Sequence, residues 1–460
     1  MYLSETFVTK WAPVLDHSDM APIKDPYRKA VTAVILENQE KAMMEEANAY
    51  GNMFEAVPNS VGAGMGGVNG AGNIKGFDPI LIGLVRRALP NLMAYDVCGV
   101  QPMTGPTGLI FAMQTKYANT GNAVLNTAST PEAFFNEANT AWSGTGAHST
   151  AMLGVGASGG LGNLVAGAAG WANTVLANTG TGMTTATAEA LGSTMAEMGF
   201  TIERVSVVAK SRALKAQYTL ELAQDLKAIH GLDAEAELSN ILSTEILAEI
   251  NREVVRTLYA VANIGYTGTT TNTFNLSSTS DTSGRWAVEK FKGLLFAVEK
   301  ACNKIAKDTR RGKGNILIVS TDVASALSMT GLLDYQGAIT NNTNLAVDDT
   351  GNTFAGTLFG RLKVYVDPYS ITGSDFVIVG YKGPTPYDAG VFYCPYVPLQ
   401  MVRAIDPDTF QPKIGFKTRY GLVQNPFGNS QQGAETVVSG TLTDHTNTYY
   451  RKFSVINLIG

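Results

Sequence analysis

From Asp233 onward apolar residues recur at every fourth position, with Leu238, Leu242, Ile246, Ile250, Val254 and Leu258 in one stripe flanked by Ile241, Leu247 and Val261. A repeat close to 3.6 residues predicts a helix with one face turned to a core, and Asn263-Ile264-Gly265 ends the pattern. At 1.5 Å per residue this helix is about 45 Å long, more than most globular helices reach. Glu235 and Glu237 near its start and Arg252 and Arg256 later on suit the helix dipole. The spacing predicts a second helix from Trp286 to Lys307, a buried strand at Ile316 to Val319 and a helix from about Asp322. Strands at Leu362 to Val366 and Phe376 to Val379 complete a compact α/β unit. Val391 to Met401 and Lys413 to Tyr420 read as further strands. In the latter, Ile414, Phe416, Thr418 and Tyr420 alternate with Lys413, Lys417 and Arg419, the period of a half-buried strand.

Near the N-terminus, Asp25-Pro26 reads as a cap and first helical residue, and Tyr27, Val31, Val34, Ile35 and Ala42 recur at helical spacing up to Tyr50-Gly51. The pattern is amphipathic, with Lys29, Glu37, Glu40, Lys41, Glu45 and Glu46 on the polar face. The glycine-rich stretch Asn59 to Gly76 follows, so this helix is expected to be flexibly tethered. Gly62, Gly64 and Gly67 satisfy the dinucleotide fingerprint G-x-G-x-x-G, but no apolar strand precedes them and more glycine follows, which is the wrong context for it. A helix capped by Asp78-Pro79 runs to Arg86 and Arg87 and stops before Pro90.

Composition changes the picture in two ways. Charged residues make up 16% of the 460, below the roughly 25% of ordinary chains, and 48 glycines exceed the usual share of about 7%. From Ala138 to Ala188 there is no Asp, Glu, Lys or Arg at all. The motif Gly156-x-x-x-Gly160 lies there, but its many glycines and Asn163 make a poor membrane span, and a loop or insertion packed on neighbouring chains is expected. The net charge of −5 argues against coating nucleic acid by bulk charge. The start of the chain shows no signal-peptide pattern, so a cytosolic place of synthesis is expected.

Candidate chemistry is thin. Cys98, Cys302 and Cys394 are far apart without C-x-x-C, and His17, His148, His230 and His445 fall in no metal-ligand spacing. There is no P-loop and no nucleophile elbow. His17 with Asp19, or Asp444 with His445, are acid/base pairs by adjacency alone. An active site would have to be assembled from scattered carboxylates, and no enzyme, cofactor or metal is expected. The basic stretch Lys307, Arg310, Arg311 and Lys313 is short and lacks interleaved aromatics, so a solvated helix end is favoured over a phosphate contact.

Longer motifs carry a family resemblance. The run from Gly76 to Met103, GFDPILIGLVRRALPNLMAYDVCGVQPM, followed by Gly105-Pro-Thr-Gly108, resembles the major capsid proteins of T-even-like tailed bacteriophages of the myovirus type. So do Ser211 to Tyr218, Glu221 to Gly231, Glu249 to Val255, Gly380-Tyr-Lys-Gly383 and Gly415 to Gly421. The resemblance implies an α+β fold shared with herpesvirus capsid floors and encapsulins. Its expected parts are a propeptide (1–55), an N-terminal arm (56–106), an extended loop with an insertion (107–210) and a peripheral domain with a long spine helix (211–284). An axial domain (285–385), strands returning to the peripheral domain (386–427) and a C-terminal segment (428–460) follow. The implied function is assembly of hexameric capsomers into an icosahedral head around double-stranded DNA. The alternatives are the related vertex protein at the pentamers and an encapsulin-like compartment shell.

The implied partners are other copies of the chain, a vertex protein, an internal scaffold, a prohead protease, the portal and decoration proteins, with nonspecific DNA contact and no membrane. The family's protease favours glutamate preceded two residues earlier by Leu or Ile. Met53-Phe54-Glu55 keeps the glutamate with a methionine departure, whereas Ile35-Leu36-Glu37 fits better but lies inside the predicted helix, so the expected cut is between Glu55 and Ala56. Residues 1–55 hold five of the 34 basic and nine of the 39 acidic residues, so their removal leaves 29 against 30, a net charge of −1. Arg310, Arg311 and Lys313, and the face of Lys413, Lys417 and Arg419, are the candidate DNA-facing or interface cations.

Overall fold

The structure, a computed structural model, describes residues 2–16, 23, 25–50, 92–119, 123–124, 133–134, 138–145, 180–190, 195–266, 272–276, 286–334, 353–370, 375–385, 387–406, 408–409, 411–426, 442 and 444–458. They form α1 (Tyr2–Leu15), α2 (Pro26–Tyr50), α3 (Ala94–Val97), β1 (Gly99–Val100), β2 (Thr107–Asn119), β3 (Ala123–Val124) and α4 (Thr185–Glu189). Then come β4 (Glu197–Val208), β5 (Lys210–Gln217), α5 (Leu220–His230), α6 (Ala234–Val261), β6 (Ala262–Ile264), β7 (Thr273–Asn275) and α7 (Ala287–Thr309). The remainder is β8 (Ile316–Ser320), α8 (Thr321–Met329), β9 (Leu333–Asp334), β10 (Thr353–Leu358), β11 (Leu362–Asp367), β12 (Asp375–Gly380), β13 (Val391–Ile405), β14 (Pro412–Gln424) and β15 (Asn447–Ile456). The class is α+β, as the sequence implies.

Local chemistry sets the helix ends. The Asp25 carboxylate accepts from the Tyr27 amide at 2.9 Å and the Asp233 carboxylate from Glu235 at 3.1 Å, each satisfying an orphan donor of a first turn. The Thr219 hydroxyl does the same for Leu222 at 3.3 Å, and Gly231 closes α5 with φ of 68°, a left-handed conformation that suits glycine. α6 is the long helix read from the stripe. Leu242, Ile246, Ile250, Val254 and Leu258 are all buried, each contributing roughly 1.5–3 kcal/mol through lost apolar exposure. Ile241, off that face, is exposed.

Two sheets share the main core. One has the order β1-β13-β14-β5, and α6 packs on its inner face. The other runs β6-β15-β12-β8-β11-β10-β9, with β7 added on β15, and α7 and α8 pack against it. β8 is buried at every position, as its unbroken apolar run requires of a central strand. β15, near the end of the chain, pairs antiparallel with β12 from Asp375↔Val455 to Gly380↔Tyr450 and stands between β12 and β6. β2 and β4 form a separate ribbon, registered from Thr107↔Val208 to Ala118↔Glu197, with β3 beside its far end. Its root has its own small core of Met103, Ile110, Val205, Val207, Phe392 and Val423.

The glycine-rich tether after α2 lies outside the described residues, but α2 itself does not stand apart from the body as its pattern suggests. The helix has the predicted span, but Val31, Ala33, Ile35 and Leu36 belong to the main core, and Thr32, Glu37, Asn38 and Gln39 are buried as well. α2 lies between α1 and β13 and is covered on both sides, and its polar residues are tolerated inside because they find partners. Glu37 accepts from Trp11 Nε1 at 3.3 Å and Lys10 Nζ at 2.7 Å. Asn38 and Gln39 donate to main-chain carbonyls. A polar side chain in a helix pattern reads as solvent-facing only when nothing polar waits across the interface.

Candidate functional site

Of the singled-out residues, Glu55 and Ala56, the Gly62–Gly67 fingerprint, the helix expected after Asp78, His17, Asp19, His148 and the Gly156–Gly160 motif lie outside the described residues. The six cations are described, and the structure does not gather them into one patch. Arg310 is the left-handed cap of α7 and is exposed. Arg311 sits 3.9 Å from Asp388, and Lys313 is 3.2 Å from Glu299, which also holds Arg361 at 2.7 Å. The other three lie on β14 in the other sheet. Lys413 pairs with Asp406 at 2.7 Å, and that ammonium holds the Asp406 carboxyl below its usual range. Arg419 stacks over Tyr396 at 5.3 Å, and Lys417 is exposed.

Register adds a cation that the linear pattern does not show. Lys215 of β5 stands opposite Gly415, and cross-strand partners share a face, so it joins Lys413, Lys417 and Arg419. The opposite face of the same sheet carries Arg212, whose guanidinium reaches Glu249 at 3.0 Å and Glu253 at 2.6 Å on α6 and the Tyr420 hydroxyl at 2.5 Å. Burial opposes that charge, but the hydrogen bonds to Glu253 and Tyr420 and the charges of both groups raise its pKa. This knot ties β5 and β14 to α6.

The ribbon supplies the apolar surface that sequence reading left unassigned. Phe111, Met113, Phe200 and Ile202 are 54–61% exposed, and Met113 faces Ile202 directly. Phe111, Met113 and Thr115 pair with Arg204, Ile202 and Phe200, which sets these side chains on one face. Nothing among the described residues covers that face. At the far end, Trp142 packs on Tyr117 at 4.9 Å between ring centroids and donates to Glu197 O at 3.1 Å. Thr145 and Thr181 bridge antiparallel, with both amides donating at 2.8 Å. The described ends of the uncharged stretch are therefore clasped to each other beside the ribbon.

An open cleft of about 780 Å³ lies between α6 and the end of β11, lined by Glu249, Arg252, Arg256, Tyr259, Asp367 and Tyr369. Arg252 pairs with Asp367 there at 2.6 Å, and Glu249 is held by Arg212 of the neighbouring sheet. Cys98, Cys302 and Cys394 are buried, and burial pushes each thiol up to about 12, the opposite of an activated nucleophile. His445 serves the backbone, its amide donating to Ala260 O at 3.0 Å. Among the described residues no group of three metal-capable side chains comes together, and no described helix is long and apolar enough to cross a membrane.

The family model Major capsid protein Gp23 matches residues 74–455. The major capsid protein of Serratia phage KSP90 is 39% identical over 462 residues, covering 99% of each chain. The capsid vertex protein of Enterobacteria phage T4 is 31% identical over 261 residues, covering 53% of this chain and 57% of its own. A solved structure from Microbacterium phage Oxtober96 aligns with a TM-score of 0.37 and 12% identity over 79% of this chain and 91% of that one.

Proposed function

Because the chain belongs to the Gp23 major capsid protein family, a structural family of the phage head shell and not an enzyme family, we propose that it assembles as hexameric capsomers into an icosahedral head around double-stranded DNA. The near-full-length match to a major capsid protein carries this reading. The vertex-protein match reaches only about half of the chain, which favours the hexamer over the pentamer position. Electron microscopy of the purified protein, with analysis of any enclosed nucleic acid, tests it. Closed shells with six-fold capsomers are expected; a persistent monomer under all assembly conditions would argue against it.

The physical means of assembly is the outward face of the ribbon. Phe111, Met113, Phe200 and Ile202 expose apolar area that gains by meeting a neighbouring subunit, and a segment poor in charge loses little on desolvation. Phe111→Lys with Phe200→Lys leaves the subunit folded and abolishes assembly. Hydrogen exchange of residues 107–119 and 197–208 should be slow in shells and fast in isolated subunits.

Residues 1–55 form a propeptide facing a scaffold, cut by a prohead protease after Glu55 in the host cytoplasm. Removal takes away about four negative charges per copy, which lowers repulsion of incoming DNA if the segment faces inward. Portal and decoration proteins complete the head. N-terminal sequencing of chains from finished particles should begin at Ala56, and an intact Met1 or a start at Asn38 would reject the site.

A further inference from the structure

α2 lies where the four-stranded sheet has a free edge. β1 pairs with β13 only at Gly99↔Phe392 and Val100↔Tyr393. The main chain follows β13 a little further, with the Gln101 amide donating to Tyr393 O at 3.0 Å and Met103 to Pro395 O at 2.9 Å, before leaving to become β2. From there α2 takes over. Asn38 Nδ2 donates to Met103 O at 2.7 Å and to Tyr396 O at 3.2 Å, and Gln39 Nε2 donates to Leu399 O at 2.5 Å. A helix thus closes a strand edge that would otherwise stand open, and Asn38 ties that edge to the root of the ribbon.

The seat is more than these amides. The Tyr27 hydroxyl donates to Val100 O, and Arg28 pairs with Asp96 on α3. Val31, Ile35 and Leu36 are buried in the main core, while Trp11 and Leu15 of α1 cover α2 from outside. None of these contacts depends on the connection between Tyr50 and Leu92. A cut in that connection removes none of the atoms that make these contacts.

We propose that the α1–α2 hairpin is a bound ligand of its own subunit: after the chain is cut between α2 and Leu92 it stays seated on β13, closes the sheet edge and holds the ribbon root. Cutting and release are then two steps, and the ribbon is freed only at the second. The place of these steps in head assembly rests on the propeptide reading, but the hairpin's retention does not. The partner class is therefore a helical peptide whose side-chain amides donate to the main-chain carbonyls of a strand edge.

The test uses the full-length chain with a site for a sequence-specific protease substituted into residues 59–65, cut after folding. The hairpin and body should co-elute one to one in gel filtration, with amides of 107–119 and 197–208 exchanging as in the uncut chain. Asn38→Ala with Gln39→Ala should speed hairpin loss by about tenfold or more, as expected when several buried hydrogen bonds are lost. Ribbon exchange should accelerate in step while amides of 234–261 keep their protection. Tyr27→Phe, which removes one hydrogen bond and almost no volume, should speed loss by about fivefold. Immediate separation of the hairpin from a folded body would overturn the proposal. So would ribbon exchange that is unchanged after release, or loss of protection across 234–261 together with the hairpin. Because the cut is engineered, a wrong Glu55 site leaves the expected result intact, and sequencing of finished particles judges that site separately.

Discussion

Asp367 is buried, and its two oxygens are held by Arg252 at 2.6 Å and the Tyr369 amide at 3.0 Å. Arg252→Met removes the cation and strands the carboxylate, which costs about 1–3 kcal/mol and should appear as a lower denaturant midpoint. Arg252 and Asp367 are 115 positions apart, and no local pattern joins them; the sequence shows each only as a charge. Glu37 illustrates the same limit. Burial alone would push its carboxyl up, but hydrogen bonds from Lys10 and Trp11, with the charges of Lys10 and Lys41, outweigh it and hold the pKa low. A carboxyl whose pKa is lowered by folding stabilises the fold above its unfolded pKa, and that contribution disappears as pH falls through the folded value. Acidification below the usual carboxylate range should therefore loosen α1 from α2, read as faster exchange of residues 5–15, and Glu37→Gln should flatten the response. The cysteines give a third outcome: a thiol-alkylating reagent at neutral pH should leave the folded chain unmodified and label Cys98, Cys302 and Cys394 after denaturation.

Elements differ in how much of them a linear pattern can show. α6 is legible because one continuous face is buried, so its apolar stripe has a helical period over its full 28 residues. Leu242→Ala or Ile246→Ala should cost about 2–5 kcal/mol in thermal or denaturant unfolding. Soluble, normally assembling Ile246→Asp protein would contradict the burial. β14 is legible for the matching reason at period two, with Ile414, Phe416, Thr418 and Tyr420 all buried. β2 and β4 are not, because much of the ribbon exposes apolar residues on a face that none of the described residues covers, and the apolar/polar alternation is blurred. Gly383, within a family motif, shows what a motif hides. A Cβ there would lie 2.0 Å from the Asp388 carboxylate, which itself accepts from the Tyr381 hydroxyl at 3.1 Å. Gly383→Ala should displace that group and lower stability by about 1–3 kcal/mol, measured as a lower melting temperature.

At the scale of the molecule, the charge ledger and the placement of cations bear on DNA. With a net charge of −5, and with Lys313 and Lys413 occupied by internal carboxylates, isolated subunits should bind duplex DNA weakly and lose it as salt rises. Tight, salt-resistant binding would contradict a weak, nonspecific contact with DNA. The sequence by itself determined the α+β class, the spans of α2, α6, α7 and the two long strands β13 and β14, the lack of any motif for catalysis, and the family. Each of these is a local period or a contiguous run of residues, and such information survives without a third dimension. The tertiary structure alone decided that β15 enters the sheet beside β12, that Lys215 joins the basic face of β14, and that α2 is seated in the core. Asn38 meets Tyr396 across 358 positions. Whether such a polar side chain faces water or a carbonyl depends on which distant backbone folds against it, and no spacing along the chain encodes that.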